Sequence, residues 1–167
     1  KGFAPERILQ VPYGVSLADF RPSLNADEVY RVIHCGAVSV RKGVPYLLQA
    51  FDELNLPNSE LWLVGGISPD MVPILSRYAS PRIKAIGNRP QAELVKYYGQ
   101  SSVLCLASVE EGMAMVQAQA MACALPVIHT ECTGGSDLMD DGVEGFCIAN
   151  RDVEALKGRL LELYRDR

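Results

Sequence analysis

The sequence predicts an α/β domain built on a Rossmann-like, doubly wound parallel sheet of about six strands. Short apolar runs, which are typical of buried parallel strands, alternate along the chain with segments of helical periodicity. This alternation indicates right-handed crossover units with helices on both faces of the sheet. In such sheets ligands bind beyond the carboxyl ends of the strands. The predicted strands cover residues 30–38, 60–66, 82–86, 103–107, 127–130 and 145–149.

The remaining elements follow from turn residues and from helical spacing of apolar side chains. Residues 1–28 are expected to form a connecting segment with a short strand at 8–11, and residues 29–167 the domain itself. Asp152 stands where it would cap the final helix. Predicted helices before that one cover residues 44–54, 69–78, 91–99 and 113–124.

Length and composition indicate a single domain that buries its own core, with 167 residues of which 49% are hydrophobic. A net charge of −4 gives no indication of a nucleic-acid-binding surface, so no nucleic-acid partner is expected. The longest apolar runs are too short to span a bilayer. The chain begins at Lys1 without the apolar stretch of a secretory signal and without a start Met, which suggests a domain excised from a longer protein.

Five cysteines and two histidines show no spacing that predicts a metal site. The cysteines are odd in number and lie mostly in apolar runs, which indicates reduced, buried thiols in a cytoplasmic protein. His34 lies within a predicted strand and His129 near the end of another, so both are expected to be structural. The sequence therefore predicts no metal ligand.

The most informative segment is the acidic turn after the predicted strand at 103–107. Glu110 and Glu111 occupy this turn, Gly112 follows, and a run of strong helix formers comes next. A helix start leaves backbone N–H groups unpaired and partly positive, which suits an anion such as a diphosphate, and glycine allows close approach. Carboxylates can accept hydrogen bonds from hydroxyl groups. A nucleotide sugar would supply both kinds of group.

Glu111 and Gln119 are eight positions apart, a little over two helical turns, so both are expected near one face of the predicted helix. Sugar hydroxyls would then bind at Glu111 and ribose hydroxyls at Gln119. A plainer interpretation stays open, in which the acidic pair only caps the helix and Gln119 is solvated.

A basic pair, Arg41 and Lys42, lies between the first predicted strand and the helix at 44–54. At the carboxyl end of a strand two cations can neutralise a diphosphate, Arg as a planar fork and Lys as a point charge. The alternative is a solvated basic dipeptide.

These segments resemble, in order, the motifs of retaining GT-B glycosyltransferases of the family 4 type. The central motif is Glu111-Gly112-Met113-Ala114-Met115, followed by Gln119-Ala120-Met121-Ala122 and Pro126-Val127-Ile128. Gly36, Lys42 and Gly43 match a second motif, and residues 12–16 and 20–22 match the connection between the two domains of the family. The chain departs from the pattern at Ala37, where the family has arginine, and at Gln119, where it has glutamate. It also departs at Met113 and Ala114, where the family has Phe-Gly, and at Ala124, where it has glycine.

The resemblance implies a binding site for a nucleoside-diphosphate sugar. The diphosphate would lie at Arg41, Lys42 and the start of the helix, the sugar at Glu111, the base near the third strand, and the ribose at Gln119. Glu111, Lys42 and Arg41 are the implied catalytic residues. The implied donor-binding set is Gly36, Arg41, Lys42, Gly87, Asn88, Glu111, Gly112, Met113, Ala114, Met115, Val116 and Gln119, with Arg89 as a further candidate for the base site.

The activity implied by the resemblance is hexosyl transfer with retention of configuration, without a metal or other cofactor. The acceptor, a sugar or a lipid-linked sugar, would bind to an N-terminal domain that is not part of this chain, and the full-length protein would be cytoplasmic or attached to the inner face of a membrane. The fragment alone is expected to be inactive. Two alternatives remain: a nucleotide-sugar 2-epimerase of the same architecture, and a non-catalytic module that binds a nucleotide or a partner protein.

Overall fold

A six-stranded, entirely parallel sheet forms the centre of the computed structural model, which describes residues 2–9, 11, 13–23 and 27–166. The strand order is β3-β2-β1-β4-β5-β6. The strands are β1 (Tyr30–Cys35), β2 (Ser59–Val64), β3 (Ile83–Gly87), β4 (Val103–Leu106), β5 (Val127–Thr130) and β6 (Gly145–Ile148). The predicted fold class is confirmed.

The helices are α1 (Val44–Leu54), α2 (Val72–Leu75), α3 (Gln91–Tyr98), α4 (Met115–Ala122) and α5 (Val153–Arg165). The first four connect β1 to β5 in succession, as parallel pairing requires, two 3-10 turns (Glu131–Thr133 and Gly135–Asp137) connect β5 to β6, and α5 follows β6. The segment predicted as one helix at 69–78 instead forms α2 between two short 3-10 turns, Pro69–Met71 and Ser76–Tyr78. The predicted cap of α5 is confirmed, because the Asp152 carboxylate accepts a hydrogen bond from the Ala155 amide at 2.8 Å.

Both faces of the sheet are buried, which explains why its strands are nearly continuous apolar runs. On one face Tyr30 and Val32 of β1 pack in a cluster with residues of α1 and α5. On the other face Ile33 and Cys35 pack in a cluster with residues of α3 and α4. The alternation along β1 therefore directs consecutive side chains into two separate cores.

Two strands end earlier than predicted because glycines turn the chain at the carboxyl edge. β1 ends at Cys35 rather than 38, since Gly36 has a φ of 139°, and β2 ends at Val64 rather than 66, since Gly65 has a φ of 149°. A Cβ on Gly65 would overlap the carbonyl of Gly36. The ends of these two strands can pass this closely only because Gly65 has no side chain.

α4 is shorter than the predicted helix at both ends. Ala114 is extended, with φ −80° and ψ 103°, so the helix begins at Met115 rather than 113. At the other end Ala124 has a left-handed φ of 57°, and the last helical residue is Ala122. Residues 112–114 therefore form a loop that leads into the helix.

The strand predicted at 8–11 is wrong for the residues that the structure describes. Ile8, Leu9 and Val11 belong to no strand and are 64%, 86% and 73% exposed, while Gln10 and Pro12 lie outside the described residues. The connecting segment contacts the domain at Phe20, which is 2% exposed and packs against Tyr98. Within the described ranges no helix is both long enough and apolar enough to cross a membrane.

Candidate functional site

The sheet has its topological switch point between β1 and β4. From β1 the chain proceeds through β2 to β3 at one edge, then returns to β4 and proceeds to β6 at the other edge. The loops after β1 and β4 consequently diverge and leave a crevice at the carboxyl ends of the strands. Arg41 and Lys42 lie in the first loop and Glu111 in the second, so the fold brings together the basic and acidic motifs.

Close backbone contact joins these two loops. Gly43, at the start of α1, has a φ of 66°, and a Cβ there would overlap the carbonyl of Ala107 at the end of β4. Next to this contact the Val109 amide donates a hydrogen bond to the Arg41 carbonyl at 2.9 Å. On the opposite side, Asn150 Nδ2 donates to the Val109 carbonyl at 3.2 Å. The acidic turn is thus held from both sides.

Lys42 and Glu111 form an ion pair across the crevice, and each side chain is only 16% exposed. Burial lowers the pKa of the Lys42 ammonium from its ordinary value, and the positive charge of Arg41 acts in the same direction. Arg41 is exposed, and its guanidinium makes no ion pair with any described residue. The ammonium that was predicted to bind a phosphate is therefore paired with a carboxylate.

The start of α4 borders the same crevice. The Ala114 amide donates to the Thr133 carbonyl at 3.4 Å. The amides of Met115 and Val116, in the first turn, make no hydrogen bond to the described part of the chain, as is usual at a helix start. Gly112 and Met113 precede them in the loop, where the Met113 sulfur accepts a hydrogen bond from the Tyr13 amide at 3.5 Å.

A pocket of about 410 Å³ extends from the crevice across the ends of β1, β2 and β3. Of the predicted donor-binding residues, Gly36, Asn88 and Val116 line it, together with Ala37 and Arg89. Arg89 Nε donates a hydrogen bond to the Tyr97 hydroxyl at 2.7 Å, which fixes the guanidinium near the mouth of the pocket. Gly87, with a φ of 78°, turns the chain at the end of β3 just before Asn88.

Gln119 does not share a helix face with Glu111, so that geometric expectation is wrong. Glu111 lies in the loop before the helix, whereas Gln119 is 4% exposed and its Oε1 accepts a hydrogen bond from the buried Tyr98 hydroxyl at 3.2 Å. Gln119 is also not solvated, which was the plainer interpretation. The helix starts later than predicted because Gly112 and the contact with Thr133 hold residues 112–114 in a loop.

A larger cavity, of about 610 Å³, lies at the opposite ends of the strands, near the amino ends of β1 and β2. Its lining includes the carboxylates of Asp27, Glu28 and Asp166. Because these negative charges would repel a diphosphate, the smaller pocket at the carboxyl edge is the better candidate for a nucleotide.

A buried polar network beside α4 was not found from the sequence. Gln117 is 0% exposed, and its Nε2 donates a hydrogen bond to the Thr133 carbonyl at 2.9 Å. The Thr133 hydroxyl donates to the Thr130 carbonyl at 2.8 Å and lies 3.1 Å from His129 Nδ1. The Thr130 hydroxyl donates in turn to the Ser108 carbonyl at 2.6 Å. No sequence motif indicates this network, because its members lie on three separate segments.

His34 is structural in position, as predicted, but it lies directly beneath the site. It is 0% exposed, with Nε2 3.3 Å from the Ala37 carbonyl and Nδ1 3.4 Å from the Cys105 carbonyl. Burial lowers the pKa of His34 to about 4 despite these carbonyls, and the charge on Lys42 contributes in the same direction. All five cysteines are free, three of them buried and two half-buried.

Comparison with known proteins agrees with this arrangement. The sequence model of the family described as glycosyl transferases group 1 matches residues 29–166. This chain belongs to that family. An uncharacterized glycosyltransferase of Methanocaldococcus jannaschii is 28% identical over 131 residues, which are 78% of this chain and 37% of the relative. The chain therefore spans well under half the length of that protein.

Solved structures show the same fold. Sucrose-phosphate synthase from Thermosynechococcus elongatus is 26% identical and superimposes with a TM-score of 0.82, over 93% of this chain and 43% of that one. Anabaena HepE in complex with UDP-glucose is 21% identical, with a TM-score of 0.81 over 92% of this chain and 46% of that one. The chain thus has the architecture of one Rossmann-like half of a GT-B glycosyltransferase, which confirms the family suggested by the sequence motifs.

Proposed function

We propose that this chain is the donor-binding domain of a retaining, metal-independent glycosyltransferase and that it binds a nucleoside-diphosphate sugar in the crevice between β1 and β4. The observation on which this rests is the ion pair between Lys42 and Glu111, which joins the basic loop after β1 to the loop that leads into the unpaired first-turn amides of α4. Cations and helix amides at a strand end are what a diphosphate requires.

The same groups account for the chemistry. In glycosyl transfer the diphosphate leaves with increasing negative charge, and preorganised positive groups stabilise that charge most as the bond breaks. Arg41, Lys42 and the start of α4 supply this stabilisation without a metal ion. When a phosphate takes over Lys42, the Glu111 carboxylate becomes available to accept hydrogen bonds from sugar hydroxyls. Gly36, Asn88 and Arg89 line the pocket in which the nucleoside would lie.

The acceptor belongs to the part of the enzyme that this chain lacks. Because the chain spans 37% of its Methanocaldococcus jannaschii relative, we infer that an acceptor-binding domain completes the full-length protein and that the chain alone binds donor without turnover. A hexosyl donor, a sugar or lipid-linked acceptor and a cytoplasmic, membrane-associated location belong to the same proposal. HepE binds UDP-glucose, which makes uridine diphosphate sugars the first donors to test.

A thermal-shift screen of UDP-, GDP- and ADP-glucose on this chain tests the proposal. A ligand present at a hundredfold excess over its dissociation constant stabilises the native state by about 2.7 kcal/mol, so the Tm rises. We expect one nucleotide to raise the Tm of the wild type and of Lys157→Ala, which removes a lysine of α5, but not of Lys42→Ala. No shift with any of the three would contradict donor binding by this chain.

A further inference from the structure

The buried network beside α4 connects the loop that carries Glu111 to the loop after β5. The first loop, residues 108–114, follows β4, and the second comprises residues 131–137. The Thr133 carbonyl accepts from Gln117 Nε2 at 2.9 Å and from the Ala114 amide at 3.4 Å. The Thr133 hydroxyl lies within hydrogen-bond distance of the Thr130 carbonyl, at 2.8 Å, and of Gln117 Oε1, at 3.3 Å, so Thr133 bonds to both sides. Fully satisfied buried polar networks of this kind fix one arrangement of the segments they join.

The loop after β5 packs so closely against this network that side chains at two of its glycines would overlap neighbouring atoms. A Cβ on Gly135 would lie 2.5 Å from Gln117 Oε1 and 2.6 Å from His129 Nδ1. The preceding residue, Gly134, has a φ of 66°, and a Cβ there would lie 2.9 Å from the Gly112 carbonyl. The position of Gly112, at the turn where an anion would approach, therefore depends on how the loop after β5 is held.

We propose that Thr133 and Gln117 are positioning residues for the donor. The Thr133 hydroxyl, bonded to Thr130 and Gln117, fixes the position of the Thr133 carbonyl, which in turn accepts from the Ala114 amide and holds Ala114 extended. This conformation ends the loop and orients the first-turn amides of Met115 and Val116 towards the crevice. If these bonds are lost, the helix formers at 113–114 are free to continue α4 by another half turn, and the amides that face the ligand change. This proposal rests on the proposed donor-binding function and adds the residues that set its geometry.

The test compares two substitutions of one residue in this chain. Thr133→Val keeps the shape of the side chain but removes the hydroxyl, whereas Thr133→Ser keeps the hydroxyl. Calorimetric titration with UDP, GDP and ADP gives the dissociation constant of each variant. We expect Thr133→Val to weaken binding about tenfold, which corresponds to about one buried hydrogen bond, and Thr133→Ser to remain within about twofold of the wild type.

A control separates positioning from general loss of stability. Tyr30→Phe removes another buried hydrogen bond, from the Tyr30 hydroxyl to the Leu160 carbonyl at 2.9 Å, on the far side of the sheet. Tyr30→Phe should lower the Tm about as much as Thr133→Val does and leave nucleotide affinity unchanged. Should Thr133→Val fail to fold, Gln117→Met removes the same connection from the helix side and is expected to weaken binding about as much.

The outcomes are distinct. If the wild type binds one of the three nucleotides and the Val and Met variants that fold bind it equally well, the positioning role is wrong while the donor site stands. If Tyr30→Phe weakens binding as much as Thr133→Val, the effect is one of stability and the positioning role is again wrong. If the wild type binds none of the three, both the proposed function and this inference fail.

Discussion

The ion pair between Lys42 and Glu111 leads to a prediction that runs against the usual effect of mutating a binding-site residue. Because the Glu111 carboxylate pairs with the Lys42 ammonium, it would compete with a diphosphate for the same positive charge. Glu111→Gln keeps the shape of the side chain and removes its negative charge. We therefore expect the substitution to increase, not decrease, the affinity of the chain for a nucleoside diphosphate.

The size of this effect follows from the burial of the pair. Two unit charges about 4 Å apart interact by about 4 kcal/mol at an effective dielectric constant of about 20. Most of this is offset by hydration that Lys42 regains once its partner is neutral, and measured couplings between neighbouring residues are about 0.5 to 3 kcal/mol. A gain of about 1.4 kcal/mol, or about tenfold in affinity, is the expected result.

Calorimetric titration with UDP, GDP and ADP at low and high salt measures this gain. Glu110→Gln is the matched control, because it makes the same change in net charge at the neighbouring exposed residue. The gain in Glu111→Gln should diminish at high salt but exceed that of the control throughout. Affinity for the corresponding sugar nucleotide should rise less, since a carboxylate contact to the sugar is lost. Unchanged or weaker binding of the nucleoside diphosphate by Glu111→Gln would refute the reasoning.

Two further predictions concern residues that support the site. Burial lowers the pKa of His34 from 6.5 to about 4. Between these pH values the unfolded chain binds more protons than the folded chain does. The free energy of unfolding should therefore fall by about 3 kcal/mol as the pH drops from 6.5 to 4. Urea denaturation at several pH values in this range measures the free energy of unfolding, which should depend less on pH in His34→Asn than in the wild type. An unchanged pH dependence in this variant would contradict the lowered pKa of His34. Gly43→Ala should lower the free energy of unfolding by more than about 2 kcal/mol in the same assay. The reason is that the new Cβ would stand at a left-handed φ and overlap the Ala107 carbonyl. An unchanged free energy of unfolding would contradict this close contact.

The sequence predicted the sheet well because its strands are buried on both faces. Their apolar runs are therefore unambiguous, and β5 was predicted at its observed bounds, Val127–Thr130. The carboxyl ends of the strands were predicted less accurately, since Gly36 and Gly65 turn the chain three and two residues earlier than predicted, and Gly65 allows a close backbone approach. Such contacts join residues far apart in the chain and leave no local pattern.

The sequence predicted correctly that Arg41, Lys42 and Glu111 lie in loops at the carboxyl ends of strands, but it predicted the bounds of helix α4 wrongly. Met113 and Ala114 are good helix formers, but contacts with the distant Thr133 hold them outside the helix, so local propensity was overridden by tertiary structure. The same cause accounts for Gln119, whose partner Tyr98 belongs to another helix. The Lys42–Glu111 ion pair also could not be predicted, because spacing along the chain does not reveal which strands are neighbours.

A crystal structure of this chain with the nucleotide identified in the thermal-shift screen tests the central claim most directly. We expect the diphosphate to lie between Lys42 and the first-turn amides of α4, with Lys42 released from Glu111 and the nucleoside in the pocket lined by Gly36 and Asn88. A nucleotide bound elsewhere, for example in the cavity at the amino edge of the sheet, or bound with the Lys42–Glu111 pair intact, would contradict it.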